Sequence, residues 1–179
     1  MLVLTGLCAG AETPAGRGTI LCEYFRDTGG SNDLSALMSA PGFPDRPTQT
    51  VKLPAFEIPE NSADNYGTQI RGYIHPPASG NYTFWIAADD TAVLFLSNDE
   101  KPEGRETIAL VPGASGLKAW SSYKEQQSRP IQLSAGKKYY IEALHKEGGG
   151  GDHLAVGWQL PDGTKELPIP GSRLSPATR

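Results

Sequence analysis

Residues 70–99, IRGYIHPPASGNYTFWIAADDTAVLFLSND, decide the fold class of this chain. In two segments of this stretch, apolar residues recur at every second position. The alternating positions are Ile70, Gly72 and Ile74 in the first segment and Tyr82, Phe84 and Ile86 in the second. This period is typical of β-strands with one buried face. The turn-forming PPASGN between the two segments predicts that they pair as an antiparallel hairpin.

The same alternation recurs towards both ends of the chain. It passes through Ile20, Cys22 and Tyr24, through Tyr139, Ile141, Ala143 and His145, and through Leu154, Val156, Trp158 and Leu160. The 21 glycines and 15 prolines favour short strands joined by tight turns. We therefore predict an all-β fold, a sandwich or barrel of antiparallel strands, with Trp85 and Trp158 in its core.

Other segments predict a helix and several irregular stretches. NDLSALMSA is the best helical candidate, because Asn32 or Asp33 can cap it and Leu34, Leu37 and Met38 share one face. The proline-studded residues 43–67 predict irregular or edge-strand structure. Residues 99–116 are polar and rich in glycine and proline, and they predict a long loop.

Composition limits the number of domains and the class of partner. The chain has 179 residues and is 38% apolar, which is enough for one core but slightly lean. Its formal net charge is −4, and its lysines and arginines form no basic run. Nucleic acid is not expected as a partner, because phosphate binding needs a concentrated positive face.

The N-terminal residues MLVLTGLCAGAE predict a cleaved secretion signal. An apolar run ends in small residues, and Ala9-Gly10-Ala11 fits a cleavage site before Glu12. No Lys or Arg precedes the run, and a buried N-terminal strand is the alternative interpretation. The run is too short to cross a bilayer, so no membrane insertion is expected. The predicted divisions are a signal remnant at 1–11, a leader at 12–17, one domain at 18–176 and a tail at 177–179.

Cleavage would remove Cys8 and leave Cys22 alone. Cys22 alternates with Ile20 and Tyr24, so we interpret it as a small buried strand residue and not as a reactive thiol. The sequence has no Cys/His spacing of the kind that binds zinc.

Two adjacent carboxylates, Asp89 and Asp90, stand between apolar strand-like runs. Aspartates are common in turns, where they accept hydrogen bonds from nearby backbone N–H groups, and an ordinary polar turn is one interpretation. The residues on either side, however, offer no cation to neutralise the pair. A calcium ion would meet that need, because it binds carboxylate and backbone carbonyl oxygens together.

Calcium needs about six to eight oxygen ligands, so a second loop must contribute. The segment KEGGGGDHL at 146–154 is the candidate. Its glycines allow carbonyl groups to turn towards an ion, and Asp152 adds a carboxylate. The alternative is an ordinary flexible hairpin loop.

Two long segments together resemble a known family. They are residues 70–99 and IQLSAGKKYYIEALHKEGGGGDHLAVGWQLPDG at 131–163. The order of strand, SGNYTF, strand, paired aspartates and strand, with the later AGKKYYIEAL and glycine-rich loop, resembles the PA14 domain. The resemblance extends over about residues 18–176 and implies a β-sandwich, as in yeast flocculins, epithelial adhesins, bacterial adhesins and glycoside hydrolases.

The resemblance also implies a site. In sugar-binding members, two adjacent aspartates joined by a cis peptide hold a calcium ion, and the matching residues here are Asp89 and Asp90. The other ligands in those members come from a later loop, here 148–153. We predict Asp152 as a side-chain ligand and the Gly150 and Gly151 carbonyls as backbone ligands.

Such a calcium ion predicts binding of glycans through neighbouring sugar hydroxyls, which can replace its waters. The predicted ligand-binding residues are Asp89, Asp90, Trp120, Tyr123 and His153. Trp120 and Tyr123 could stack on a sugar face, although both could also anchor the loop. His153 adjoins Asp152, but a histidine in that position could simply be solvated.

Three functions remain open from the sequence. The leading one is an extracellular calcium-dependent carbohydrate-binding module, secreted, periplasmic or on the cell surface, and part of a larger protein. The runner-up is a protein-interaction or spacer module with structural calcium only. An enzyme is least expected, because His75, His145 and His153 are dispersed and no serine nucleophile motif occurs.

Overall fold

A computed structural model describes residues 18–177, and the predicted signal, the predicted leader and the last two residues lie outside this range. The described chain forms β-strands and one short α-helix. In chain order they are β1 (Ile20–Arg26), α1 (Leu34–Met38), β2 (Gln49–Leu53), β3 (Tyr66–Ile74), β4 (Gly80–Asp89), β5 (Thr91–Leu96), β6 (Glu106–Val111), β7 (Ile131–Leu133), β8 (Tyr139–Glu147), β9 (His153–Gln159), β10 (Lys165–Glu166) and β11 (Leu174–Pro176).

The strands form two antiparallel sheets, which confirms the predicted sandwich with one short helix. The larger sheet has the order β2-β1-β3-β8-β5-β6, and β11 also pairs with β3. The smaller sheet has the order β10-β9-β4-β7. Within the described range, no helix has the length and apolar character that crossing a membrane requires.

The core lies between the sheets and contains the residues that the period of two predicted. All the alternating positions named above are buried, although Gly72 contributes no side chain to the core. The Trp158 ring is fully buried, 4.9 Å from the Tyr82 ring and 5.8 Å from the Phe84 ring. Burial of one such aromatic side chain contributes roughly 3 kcal/mol to folding.

Trp85 is also buried, but on the opposite face of β4 from Phe84. Its ring lies under the Lys165 ammonium group, 4.9 Å from the ring centroid. The prediction that Trp85 is buried is confirmed, while its partner is a surface lysine and not the residues of the main core. Cys22 is buried in β1 as predicted, and burial raises the pKa of its thiol to about 12.

The predicted helix forms, with one difference in its buried face. Asp33 caps it, and its Oδ1 accepts a 2.7 Å hydrogen bond from the Ser35 N–H. Leu37 is fully buried and packs with Phe25 and Leu144 on the outer face of the larger sheet. Met38 is 59% exposed, because five residues of helix bring only about one side chain per turn onto the sheet.

The predicted long loop at 99–116 is wrong in part. Residues Glu106–Val111 form β6, which pairs with β5 at the edge of the larger sheet and buries Ala109 and Val111. The register shifts between Leu94 and Phe95, so the pairing is irregular. A short edge strand among polar residues leaves a weak signal in the sequence, because half of its pattern faces solvent.

The sheet topology positions the site. β4 belongs to the smaller sheet and β5 to the larger one, so the chain crosses between the sheets at Asp89-Asp90. β8 and β9 also belong to different sheets, and residues 148–152 make that crossing. Asp89 pairs with His153, and Thr91 pairs with Lys146. Both crossings therefore meet at the same end of the sandwich.

Candidate metal and ligand site

The acid pair occupies the β4–β5 crossing. The Asp89–Asp90 peptide bond is cis, as the family resemblance implied. Asp89 and Asp90 are both partly exposed, so their carboxylates lie where the sandwich meets solvent. The Gly148 N–H donates a 3.1 Å hydrogen bond to Asp90 Oδ2 and ties the glycine-rich loop to the pair.

A third carboxylate, Glu147, completes a cluster; it lies in the candidate segment 146–154, but the sequence analysis did not name it as a ligand. Glu147 is the last residue of β8, and one oxygen each of Asp89, Asp90 and Glu147 lie within 4.8 Å of one another. Glu147 is fully buried, and neither of its carboxylate oxygens has a well-formed hydrogen bond within residues 18–177. A buried carboxylate without partners is costly unless a cation compensates it. This donor set of hard oxygens fits a calcium ion.

The raised pKa values of the cluster also indicate that its carboxylates need a cation. Burial, and then the charges of Asp90, Asp89 and Asp152, together raise the pKa of Glu147 to about 7. Burial and then the neighbouring Asp90 raise the pKa of Asp89. Without a cation, the folded protein therefore resists full ionisation of these groups.

One protein cation does reach the cluster, although the residues that flank the acid pair in the sequence offer none. Lys146 is fully buried, and its ammonium group donates a 3.0 Å hydrogen bond to the Gly29 carbonyl and another to the Glu147 carbonyl. Burial lowers the pKa of Lys146, while the charges of Glu147 and Asp90 raise it. One ammonium group cannot neutralise three carboxylates.

Asp152, predicted as a ligand, holds a neighbouring loop. Its Oδ2 accepts hydrogen bonds from the Ser62 N–H at 2.7 Å and the Ala63 N–H at 2.9 Å. Its Oδ1 is buried without a well-formed hydrogen bond. Asp152 therefore fixes the 59–65 loop beside the cluster, and its role as a metal ligand stays a prediction.

The predicted backbone ligands lie next to the acid pair. A Cβ built on Gly151 would be 4.0 Å from Asp89 Oδ2, so this glycine backbone is close to the first aspartate. Gly150 has a φ of 115°, a conformation that glycine adopts without strain. The Gly150 N–H donates a 3.1 Å hydrogen bond to Asp64 Oδ1. Coordination by the Gly150 and Gly151 carbonyls stays a prediction.

Two histidines lie beneath the cluster. His145 Nε2 lies 2.7 Å from the Asp89 carbonyl oxygen and donates to it, and burial lowers the pKa of this ring to about 4. His153 pairs with Asp89 across the sheet, is 6% exposed, and has its pKa lowered by burial. His145 thus supports the Asp89 backbone as a neutral ring. Contact of His153 with a ligand stays a prediction.

The predicted aromatic residues lie in the loop that follows β6. Ser115 in this loop donates through its N–H at 3.0 Å and its hydroxyl at 2.9 Å to the Ala88 carbonyl, one residue before the acid pair. Trp120 and Tyr123 are half-buried. The Tyr123 hydroxyl donates to the Ala114 carbonyl at 3.0 Å, and the ring packs on the core, so Tyr123 anchors the loop.

Two further loops reach the site, and the sequence analysis missed them. A Cβ built on Gly148 would be 3.1 Å from the Gly30 carbonyl oxygen and 3.5 Å from Asn32 Cβ. A Cβ built on Gly151 would be 3.5 Å from Asn61 Oδ1. The positive φ of 52° at Asn61 is a local signal, because asparagine is enriched in that conformation.

A family model of the PA14 domain matches residues 17–172. The chain belongs to the PA14 domain family. Among curated proteins, mouse N-acetyl-beta-glucosaminyl-glycoprotein 4-beta-N-acetylgalactosaminyltransferase 1 is 33% identical over 151 residues, which cover 80% of this chain and 14% of that protein. Dog fibrocystin is 29% identical over 115 residues, 54% of this chain and 3% of that protein. The PA14 chain therefore spans a small part of these relatives.

Solved PA14 structures share the fold at low identity. The PA14 sugar-binding domain from an RTX adhesin aligns with a TM-score of 0.64 and 16% identity, covering 90% of this chain and 98% of that one. The PA14 domain of the antifreeze protein MpAFP gives 0.66 and 14%, covering 94% and 96%. The A domain of epithelial adhesin 6 from Candida glabrata, in complex with Galb1-3GlcNAc, gives 0.61 and 15%, covering 92% and 88%.

Proposed function

We propose that this PA14 domain is a non-catalytic carbohydrate-binding module that binds sugars through a calcium ion. The observation that carries the proposal is the cluster of Asp89, Asp90 and Glu147, in which a fully buried carboxylate has no well-formed hydrogen bond in the described chain. The cluster lies at one end of a sandwich, among loops that can form a rim.

The carboxylates of Asp89, Asp90 and Glu147 would hold the ion, and the Gly150 and Gly151 carbonyls and Asp152 are further candidates. When bound, calcium supplies coordination positions that two neighbouring sugar hydroxyls can occupy in place of water. The exposed parts of Asp89 and Asp90 can accept hydrogen bonds from those hydroxyls, which are strengthened by the carboxylate charge. Glu147, being buried, contributes to the metal and not to the sugar.

Other residues of the chain keep this arrangement in place. His145 holds the Asp89 backbone, and the Gly148 N–H holds Asp90. Lys146 joins the end of β8 to the 28–32 loop through the Gly29 carbonyl. These contacts orient the carboxylates before any ligand arrives, which lowers the entropy cost of binding.

Two structural relatives that bind sugars support this proposal. One is a sugar-binding domain of an RTX adhesin, and another is an epithelial adhesin solved with a disaccharide. Their low sequence identity means that they support the fold directly and the ligand class only by analogy. The galactosaminyltransferase and fibrocystin relatives are far longer than this chain. We propose that the module acts within a larger extracellular or cell-surface protein.

A glycan panel probed with and without chelator tests the function. We expect weak binding in millimolar calcium, with a dissociation constant near 1 mM for a single monosaccharide, and no binding in chelator. Asp89→Asn should abolish binding. Asp162→Asn is a matched control, because Asp162 lies in an exposed turn at the other end of β9 and accepts a hydrogen bond from Thr164 N–H.

The runner-up function predicts a different result. A spacer module would use calcium only to fasten the 148–152 loop to its neighbours, as Asp152 already does with its hydrogen bonds to Ser62 and Ala63. Calcium would then raise the melting temperature, but the panel would show no glycan binding at high protein density. That outcome would replace the carbohydrate-binding proposal with the spacer function.

A further inference from the structure

One loop of the candidate site, residues 59–65, forms a fixed wall along the glycine-rich loop. The Asn61 N–H donates to the Asp152 carbonyl at 3.1 Å, and the Asn65 N–H donates to the Gly148 carbonyl at 3.3 Å. The Gly150 N–H donates to Asp64 Oδ1 at 3.1 Å. Hydrogen bonds at both ends and in the middle hold this wall against the glycine-rich loop.

The wall places polar and acidic side chains beside the acid pair. A Cβ built on Gly151 would be 3.5 Å from Asn61 Oδ1 and 4.0 Å from Asp89 Oδ2, so both side chains lie next to this glycine. Asp64 is exposed, and its Oδ1 would be 3.9 Å from a Cβ on Gly149. Glu60, at the start of the wall, is also exposed.

The charges around this end of the sandwich do not balance. The carboxylates are Asp89, Asp90, Glu147, Asp152, Asp64 and Glu60. Of the nearby cations in the described chain, Lys118 pairs with Glu57 at 2.8 Å, and its charge also acts on His153. Arg26 stacks on the Tyr66 ring at 5.7 Å, and Lys146 is buried under the cluster. Even with a bound divalent ion, carboxylates remain in excess.

We infer that this acidic rim excludes sugars that carry a carboxylate or sulfate, so that the module selects neutral glycans. The inference rests on the proposed function and adds the substrate class. Asp64 and Glu60 are exposed, so their charges face the solvent from which a sugar arrives. Asn61, an exposed neutral residue of the wall, lies beside the glycine that also neighbours Asp89 and can exchange hydrogen bonds with sugar hydroxyls.

Matched sugars that differ by one carboxylate test this inference. The probes are methyl β-galactoside against methyl β-galacturonide, and methyl β-glucoside against methyl β-glucuronide, at neutral pH and fixed calcium. We expect the neutral sugar of a bound pair to bind at least about fivefold more tightly at low salt, and the ratio to shrink as salt is added. The double variant Asp64→Asn with Glu60→Gln should reduce the ratio at least by half.

Control measurements keep the outcomes distinct. Glu103→Gln removes an exposed carboxylate beyond the opposite end of β5 and should leave the ratio unchanged. Equal binding of the neutral and acidic sugars by the wild-type protein would overturn the inference, as would an unchanged ratio in the folded, calcium-binding double variant. If the calcium-loaded wild type bound none of the four sugars, that result would instead overturn the proposed function.

Discussion

Two glutamates on the same strand, Glu142 and Glu147, are both buried and yet differ in their surroundings. Glu142 accepts hydrogen bonds from the Tyr140 hydroxyl at 2.6 Å and the Gln69 amide at 3.1 Å, and it lies 3.5 Å from Arg105 Nε. Glu147 has two like-charged neighbours and no well-formed hydrogen bond in the described chain.

This difference separates a structural carboxylate from a functional one. The protein supplies everything that Glu142 needs, so removing it should only cost stability. Glu147 is held in an unfavourable state that a cation would relieve. Burial alone does not mark a site, but burial without partners beside other carboxylates does. The first three predictions below test the contrast between Glu142 and Glu147, and a fourth concerns the aromatic loop, in order from the largest expected effect to the smallest.

Calcium should stabilise the wild-type protein by about 2.7 kcal/mol when its free concentration is a hundred times the dissociation constant. The reason is that the ion binds the folded state only. Glu147→Gln should lose most of this stabilisation, whereas Glu142→Gln should keep it. Thermal melts in chelator and in free calcium of about 10 to 100 mM, a hundred times the expected dissociation constant, measure both effects. Equal calcium shifts in wild type and Glu147→Gln would contradict the assignment of Glu147.

In chelator, the order of the two effects is reversed: Glu142→Gln should lose stability, and Glu147→Gln should not. Glu142→Gln should destabilise the protein by about 2 kcal/mol, because it removes a charged acceptor from Tyr140 and Arg105. Glu147→Gln should leave stability unchanged or raise it, because it removes a buried carboxylate that lies beside two others. Denaturant unfolding at neutral pH measures both. A larger loss in Glu147→Gln would mean that its carboxylate is already satisfied in the metal-free protein.

The metal-free protein should also respond to pH through Glu147. Its pKa rises from an ordinary 4.5 to about 7 on folding, so the folded state binds more protons in that window. The contribution of Glu147 to stability therefore falls as pH rises from about 4.5 to 7. His145 has the opposite effect, because its pKa falls from 6.5 to about 4 and the unfolded state binds more protons.

Comparison with a variant separates these two opposing effects. The stability of Glu147→Gln relative to wild type should rise between pH 4.5 and 7, by an amount on the order of 2 kcal/mol. Unfolding in chelator at several pH values gives this difference. A difference between the proteins that stays constant with pH would show that Glu147 does not change its protonation on folding.

The smallest expected effect concerns the aromatic loop. Trp120→Ala should change which sugar is preferred, by a few-fold, if its half-buried ring lines the rim. Calcium affinity should stay nearly unchanged, since the ring offers no metal ligand. Titration of calcium and of the best-bound sugar from the panel checks both. Unchanged sugar preference would assign Trp120 to loop anchoring, the role that Tyr123 has.

Much of the fold could be predicted from the sequence because strand alternation is a local property. Ile70, Tyr82 and Trp158 were all assigned correctly to the core from the period of two. β6 was missed because the residues around it are polar and it pairs at a sheet edge. Met38 was placed with the buried helix residues because spacing along a helix does not show how far the helix packs on the sheet.

The candidate site could be predicted only where its residues are adjacent in sequence. Asp89 and Asp90 are adjacent in the sequence, and the lack of a flanking cation indicated a cation site there. Glu147 and Lys146 looked like the ordinary end of a strand, and only the sheet topology brings them to the acid pair. The 59–65 loop was read as irregular structure, since its contacts with the glycine-rich loop join residues almost ninety positions apart.

Calorimetric titration of calcium into chelator-treated protein tests the central claim most directly, with Asp90→Ala and Asp162→Asn measured in parallel. The account predicts one site in the wild type and in Asp162→Asn, with a dissociation constant of roughly 10⁻⁴ to 10⁻³ M, and no measurable site in Asp90→Ala. Absence of calcium binding by the folded wild type, or equal binding by Asp90→Ala, would contradict the claim that these carboxylates form a metal site.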